Sequence, residues 1–335
     1  MSHATVDNRL ARRVAAASGP GPMATGARAF EKLVVVTRKT RLAQLLERWG
    51  SRGQARYAIE RQGGDFADYQ REDDTYRRAL ATVDRGLDEL GLKQQHLDRA
   101  VVPSYLFAPH DLIVTVGQDG LVANVAKYVG AQPVVAINPD PARFDGVLLP
   151  FAVEQARGAV GRVLAGRAHT RDVTLAEARL NDGQRLLAFN DLFVGARSHV
   201  SARYAIAVGG RPEVQSSSGV LIATGAGSTG WLSSMFAMAR GLAAFAGGSV
   251  GAPPPLALDD PRLAYVVREP FVSKSSQATV VAGLLAAGAS LAIESHMPDD
   301  GVIFSDGVEA DALRFPSGAR VTIAAAAQRT RLVVG

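Results

Sequence analysis

Near Pro150 the hydrophobic pattern of the chain changes period, and this change constrains the fold more than any other feature. Before it, continuous apolar runs alternate with segments whose apolar residues recur every three or four positions. "KLVVVTRKT" (32–40) holds four consecutive apolar residues between charges, as a strand buried on both faces does. "RLAQLLERW" and "DTYRRALATVDRGLDELG" space their apolar residues as amphipathic helices do, which predicts two or three helices between Arg41 and Gly91, with "RQGGDFADYQ" as a loop. "RAVVPSYLF" and "DLIVTVG" then read as strands, "LVANVAKYV" as a helix and "PVVAINPD" as a further strand. Strands alternating with helices predict a parallel sheet with helices on its faces.

Beyond Pro150 the helical spacing fades. "RDVTLAEARL", "QRLLAFNDLFVG", "ARYAIAVGG", "GVLIAT", "RLAYVVREPF", "ATVVAG", "SLAIES", "GVIFSD", "ARVTIAAA" and "TRLVVG" follow one another with turn residues between them, the pattern of antiparallel β-structure. One helix is expected at "STGWLSSMFAMARGLAAFAGG", and "GGSVGAPPPLALDDP" reads as a surface loop. The fold class expected is α/β plus β. A Rossmann-like parallel α/β domain is expected over 32–150 and a mainly antiparallel β domain over 151–335; 1–31, small, Arg-bearing and poor in acids, reads as a disordered tail or a transit peptide, the near-absence of a hydrophobic face favouring the tail. Each domain is expected to hold its own sheet, with the ligand site in the gap.

Composition narrows the function classes. A length of 335 residues suits two cores, and 47% hydrophobic with 21% charged residues suits globular domains. The absence of cysteine excludes disulfides and thiolate metal sites and fits a reducing, cytoplasmic location. The 37 basic and 32 acidic residues are interleaved, and basic runs carrying aromatics are absent, so no nucleic-acid partner is expected. No run of some twenty apolar residues occurs, so no membrane partner is expected either. The six histidines, among them His110, His169, His199 and His296, lack metal-ligand spacing, and "QSSSGV" lacks the nucleophile-elbow pattern. No protein-built metal site is expected.

Two loops carry candidate chemistry. In "VTVGQDGLVANVAKYVG" (114–130), a strand runs through Gly117, Gln118, Asp119 and Gly120 into a helix, and such a turn offers backbone N–H groups and a helix dipole to an anion. Asp119 opposes an anion unless it binds Mg²⁺ or takes a proton from an attacking hydroxyl. Asp119-Gly120 also reads as an ordinary turn. The second loop, "IATGAGSTGWLSS" (222–234), again joins strand to helix, and Ser228 and Thr229 suit either helix capping or a phosphate. Two such loops in different halves of the chain are what a nucleotide held between domains requires.

In order and spacing these motifs resemble those of the ATP-dependent NAD kinases, closer to the mitochondrial-type form. Gly117, Asp119 and Gly120 are similar to the family's Gly-Gly-Asp-Gly-Thr loop, and "PVVAINPDPARFDGVLLPF" sets Asn138 at the family's Asn. "FNDLFVG" resembles the Asn-Glu element through Asn190 and Asp191, and "GAGSTGW" the Thr-Gly-Ser-Thr element through Gly227, Ser228 and Thr229. "REPFVSKSSQ" and "FSDGVEAD", with Asp306 and Gly307, are similar to two later elements, so the resemblance covers about 32–335. It implies phosphorylation of the adenosine ribose 2′-hydroxyl of NAD, with ATP and Mg²⁺, by a homodimer or homotetramer. Asp119 would be the general base. Gly117, Gln118, Gly120 and Leu121 would form the phosphate loop, and Asn138, Asn190, Asp191, Thr224, Gly227, Ser228, Thr229 and Trp231 would bind the dinucleotide. The chain departs from the pattern where Gln118 replaces a glycine, Leu121 a threonine, Asp191 a glutamate and Gly230-Trp231 an Ala-Tyr pair. These departures bear on substrate more than on fold. Two alternatives stay open: a lipid or other alcohol kinase, since the resembled phosphate loop serves the wider superfamily, and a non-catalytic dinucleotide-binding regulator, which Gln118 and Leu121 suggest.

Overall fold

The computed structural model describes residues 30–210 and 212–335, so the expected tail lies, except for its last two residues, outside the described part. Strand β1 (Lys32–Thr37) leads into α1 (Arg41–Trp49), α2 (Arg52–Arg61) and α3 (Phe66–Asp88). Each helix starts where a short polar side chain accepts a backbone N–H: Thr40 from Ala43, Ser51 from Gln54 and Asp65 from Ala67. α1 stops at Gly50, whose φ of +73° suits glycine. The expected loop "RQGGDFADYQ" therefore ends at Asp65, and Phe66 already belongs to α3.

Strands β2 (Lys93–Asp98), β3 (Asp111–Val116) and β4 (Pro133–Asn138) complete a parallel sheet in the order β2-β1-β3-β4, with α4 (Asp119–Ala126) crossing from β3 to β4. Alternate side chains serve opposite faces. Leu33, Val35, Leu112, Val114, Val135 and Ile137 pack with Tyr76, Val83 and Leu87 of α3, whereas Val34, Val36, Ile113, Val134 and Ala136 pack with α4. The strand expected at "RAVVPSYLF" is instead a 3-10 turn, Arg99–Ser104, opened by the Asp98 carboxylate and containing Pro103.

The second half adds β5 (Phe151–Ala152), α5 (Ala156–Leu164), β6 (His169–Leu180), β7 (Arg185–Ala188), β8 (Asp191–Ala196), β9 (Ala202–Val208), β10 (Glu213–Ser217) and β11 (Val220–Ala223). A 3-10 turn at Ala226–Thr229 precedes α6 (Trp231–Phe245), and β12 (Leu263–Val267), β13 (Ala282–Leu285), β14 (Ser290–Ser295), β15 (Gly301–Ser305), β16 (Val308–Arg314) and β17 (Arg320–Val334) follow. One antiparallel sheet runs β13-β12-β11-β8-β15-β16. It packs against β6, β9, β14 and β17 around Tyr204, Ile222, Ile293, Ile303 and Ile323, making a β-sandwich.

The expected separation of sheets is corrected by β17. "ARVTIAAA" and "TRLVVG" form one 15-residue strand with an irregularity between Ala325 and Arg329. Its first part pairs with β14 and β6, and its last part pairs with β6 and, in parallel, with β4 through Arg331 and Leu332. The parallel and antiparallel halves therefore share one 11-stranded sheet. α5 lies beyond Pro150 yet packs Ala156, Ala159 and Val160 into the core built on β1 and β3.

Candidate nucleotide site between the halves

The C-terminal end of β3, the turn after β4, the approaches to β8 and α6, and the β15–β16 turn meet at one cleft. A cavity of about 800 Å³ there is lined by Asp119, Gly120, Val147, Leu148, Arg171, Asn190, Asp191, 225–231, 256–259, Asp306 and Gly307. The cleft thus unites residues from both candidate loops. "GGSVGAPPPLALDDP", expected on the surface, returns to line the site: the Leu258 carbonyl accepts from Thr174 N, and Leu256 is buried.

Asp119 is the first residue of α4. Its Oδ1 accepts from Leu148 N at 2.6 Å, which ties the helix start to the turn after β4. Gly117 and Leu121 have a structural explanation. A Cβ on Gly117 would lie 2.6 Å from Leu121 Cδ2, and Leu121 itself is buried in the core beneath the loop. As a phosphate-contacting side chain Leu121 is therefore withdrawn: its apolar group belongs to the same core as Val34 and Val134, and its N–H is bonded to Gln118 O at 2.8 Å.

Gln118 turns the other way. With Asn124, Tyr128, Arg38, Lys39, Arg41, Arg99 and Arg143 it lines a second cavity, also of about 800 Å³. Glu72 and Asp98 are the acids in its described lining. Burial pushes the Glu72 carboxyl up, but hydrogen bonds from Arg41 and Arg38 outweigh burial and hold it below the usual range. Arg143 and Arg41 likewise hold Asp68, just behind, well below the usual range. The two cavities thus have opposite character. The first has four carboxylates, Asp119, Asp191, Asp259 and Asp306, with Arg171 as the cation in its described lining; the second presents five cationic side chains.

Two predicted dinucleotide residues do not reach the first cavity. Asn138 organises the turn that follows it, donating to Phe144 O at 3.0 Å and accepting from Asp140 N at 3.0 Å. Thr224 is fully buried, its hydroxyl donating to Phe189 O at 2.5 Å. Gly227 does line the cavity, and a Cβ there would lie 2.1 Å from Asn190 O. Only glycine lets the loop pass the strand so closely. The Ser228 hydroxyl donates to Gly225 O at 2.7 Å, while the α6 N-cap, Gly230, receives no side-chain cap. Thr229 is exposed at the cavity. The Asn190 amide and the Asp191 carboxylate make no hydrogen bond among the described residues, although Asp191 is 7% exposed.

Sequence reasoning missed the surroundings of Trp231. Its ring stacks on Phe193 with centroids 5.6 Å apart, Phe193 stacks on Phe304 at 4.9 Å, and Arg268 lies over both Trp231 and Phe193. Three chain segments far apart in sequence build this ladder, and strand periodicity would have found only the outward orientation of Phe193 and Phe304. Arg171 and Asp259 were also missed, because single charges in β-prone or loop sequence carry no motif.

No protein-family model and no curated protein sequence matches the chain. Among solved structures, the chain is similar to yeast NADH kinase, solved with NADH, at 16% identity over 91% of this chain and 83% of that one, with a TM-score of 0.52. It is also similar to an NAD kinase from Archaeoglobus fulgidus, solved with ATP, at 15% identity over 90% of this chain and 92% of that one, with a TM-score of 0.53. The chain has the NAD kinase fold. The parallel α/β half and the antiparallel half are those of that two-domain fold. Within the NAD kinase fold, the cavity lined by Asp119, Asn190 and Asp191 opens between the halves.

Proposed function

We propose that the chain is a phosphotransferase of NAD kinase type, moving the terminal phosphoryl group of ATP to the adenosine ribose 2′-hydroxyl of NAD. One observation carries this reading. The first turn of α4 stands between an acid-rich and a base-rich cavity, with Asp119 in the first and Gln118 in the second. A polyanionic donor suits the cavity of Arg38, Lys39, Arg41, Arg99 and Arg143, where guanidinium groups match phosphate oxygens. A hydroxyl acceptor suits the cavity of Asp119.

In this reading the ribose oxygen attacks the γ-phosphorus, its proton passes to the Asp119 oxygen not held by Leu148, and the bond from γ-phosphorus to the ADP oxygen breaks. The N-terminus of α4 and the Gln118 amide face the phosphates, whose developing charge they stabilise. Mg²⁺ would be brought by the nucleotide phosphates. Among the described residues no group of three or more His, Cys, Asp or Glu can hold a metal, so the substrate phosphates and water would hold the ion, leaving the free Asp119 oxygen to the proton. The ion would supply charge neutralisation on the transferred phosphoryl.

The acid-rich lining speaks against a lipid or sphingoid acceptor, and the burial of Leu121 removes one reason to regard the loop as disabled. The decisive experiment is a coupled assay for NADP formation from NAD, ATP and Mg²⁺. Formation supports the reading; no product at micromolar enzyme, from protein that binds NAD, favours the non-catalytic regulator. The homodimer or homotetramer remains a proposal, supported by α6, whose Met238, Leu242 and Phe245 stand exposed along one stripe.

A further inference from the structure

At the β15–β16 turn, Asp306 adopts a left-handed backbone with φ of +54°, followed by Gly307 at +67°. This costly conformation turns its side chain inward. The carboxylate accepts backbone N–H groups from three consecutive residues: Phe189 at 3.0 Å, Asn190 at 2.6 Å and Asp191 at 3.3 Å. In return the Asp306 N–H donates to Asp191 O at 3.0 Å. One carboxylate therefore holds the backbone from which Asn190 and Asp191 enter the cavity.

We propose that Asp306 is a positioning residue: it fixes the direction in which Asn190 and Asp191 meet a ligand's hydroxyl groups, and its negative charge makes recognition by Asp191 depend on a proton. Burial pushes the Asp306 carboxyl up as well, against the three N–H bonds and the Lys127 charge that favour its ionised form, so Asp306 and Asp191 share one negative charge more readily than two. Burial first, and then the charge of Asp306, push the Asp191 carboxyl up to about 7. The other charged or titratable groups around the pair are Asp119 at the start of α4, Lys127 and Tyr128 just past its end, Asp311 from β16, Arg171 from β6 and Asp259. Lys127 is committed, bonded to Ser305 Oγ at 2.7 Å and paired with Asp311 at 3.0 Å. It tempers the charge on Asp306 without reaching Asp191.

The inference rests on the dinucleotide reading for its ligand but not for its charge coupling, and the experiment separates the two. NADH is titrated against the wild type, Asp306→Asn and Asp306→Gly from pH 5.5 to 8.5, followed by Trp231 fluorescence, with Trp49→Phe in every protein. In parallel, the Asp191 carboxyl is titrated by ¹³C NMR without ligand, assigned through Asp191→Asn. Both replacements tolerate a positive φ. Asp306→Gly should weaken NADH more than tenfold, and in Asp306→Asn the Asp191 midpoint should fall by more than half a pH unit. Wild-type affinity in Asp306→Gly, or an unmoved midpoint in Asp306→Asn, overturns the proposal. If the wild type ignores NADH, the dinucleotide reading fails and the ligand-free midpoint still decides the coupling. If neither variant folds, a wild-type Asp191 midpoint within the ordinary carboxylate range overturns the coupling. A carboxyl raised to about 7 costs stability as pH climbs from 4 to 7, with the full cost above 7. Asp191→Asn should therefore raise Tm more at pH 8 than at pH 5; a gain no larger at pH 8 overturns the raised carboxyl.

Discussion

At the residue scale, the α4 loop separates chemistry from packing one side chain at a time. Asp119→Asn keeps the oxygen that accepts from Leu148 N and removes the capacity to take a proton. We expect a loss of 10² to 10⁴ in kcat for NADP formation, with Tm and NAD affinity retained. Wild-type kcat would sink the general-base role, and unfolding would make Asp119 a turn residue. Gln118 and Leu121, which break the resembled pattern together, should behave oppositely. Leu121→Thr buries a hydroxyl and opens a void against Gly117, so it should cost roughly 2 to 4 kcal/mol of stability in urea unfolding without raising activity. Gln118→Gly should leave Tm nearly unchanged and alter KM for ATP more than about tenfold, or 1.4 kcal/mol. Unchanged KM values for ATP would mean that the donor does not meet Gln118.

Among the elements, α6 separates inner packing from outer display. Leu232 and Met235 are buried, whereas Met238, Leu242 and Phe245 project outward at spacings of four and three, and Arg240 is the helix's one charged residue. A helix this apolar on its outer side is stable in water when another surface covers it. Leu242→Arg with Phe245→Arg should reduce the mass in light scattering to that of one chain without lowering the Tm of the monomer. An unchanged mass would place the interface elsewhere or show a monomer from the start. The elements were legible where burial follows a period: β1, β3, β4 and the helices from 41 to 88 came from apolar spacing alone. β2, "KQQHLD", was not legible, because an exposed edge strand needs no apolar alternation, and β16 was hidden for the same reason; β10 was hidden because its inward-facing Glu213, Gln215 and Ser217 are polar yet buried. The site was legible in Asp119, Asn190, Asp191 and the 227–231 loop, which sit at strand-to-helix or strand-to-strand turns. It was not legible in Asn138 and Thr224, whose polar groups bind backbone rather than the cavity, nor in Arg171, Arg268 and Asp259, which reach the cleft or its aromatic ladder only through tertiary packing.

For the whole molecule, the last strand in sequence is a central strand in space. Near its end β17 contributes Leu332 to one face of the parallel sheet and Val333 to the other, while its earlier residues Val321 and Ile323 lie in the β-sandwich core. Neither half completes its core without it. The chain should therefore unfold in one cooperative transition, with calorimetric and van't Hoff enthalpies equal within error, despite a length that would accommodate two independent domains. A chain ending at Ala326 should lose this cooperativity, because β4 regains an open edge and both faces of the parallel sheet lose an apolar residue. A fragment of residues 30–150 should fail to fold alone, since it lacks α5 and the β17 end that cover its sheet. Two resolved transitions in calorimetry, or native far-UV circular dichroism and a cooperative melt from the fragment, would show that the halves are independent domains and that the shared sheet is a contact rather than a structural necessity.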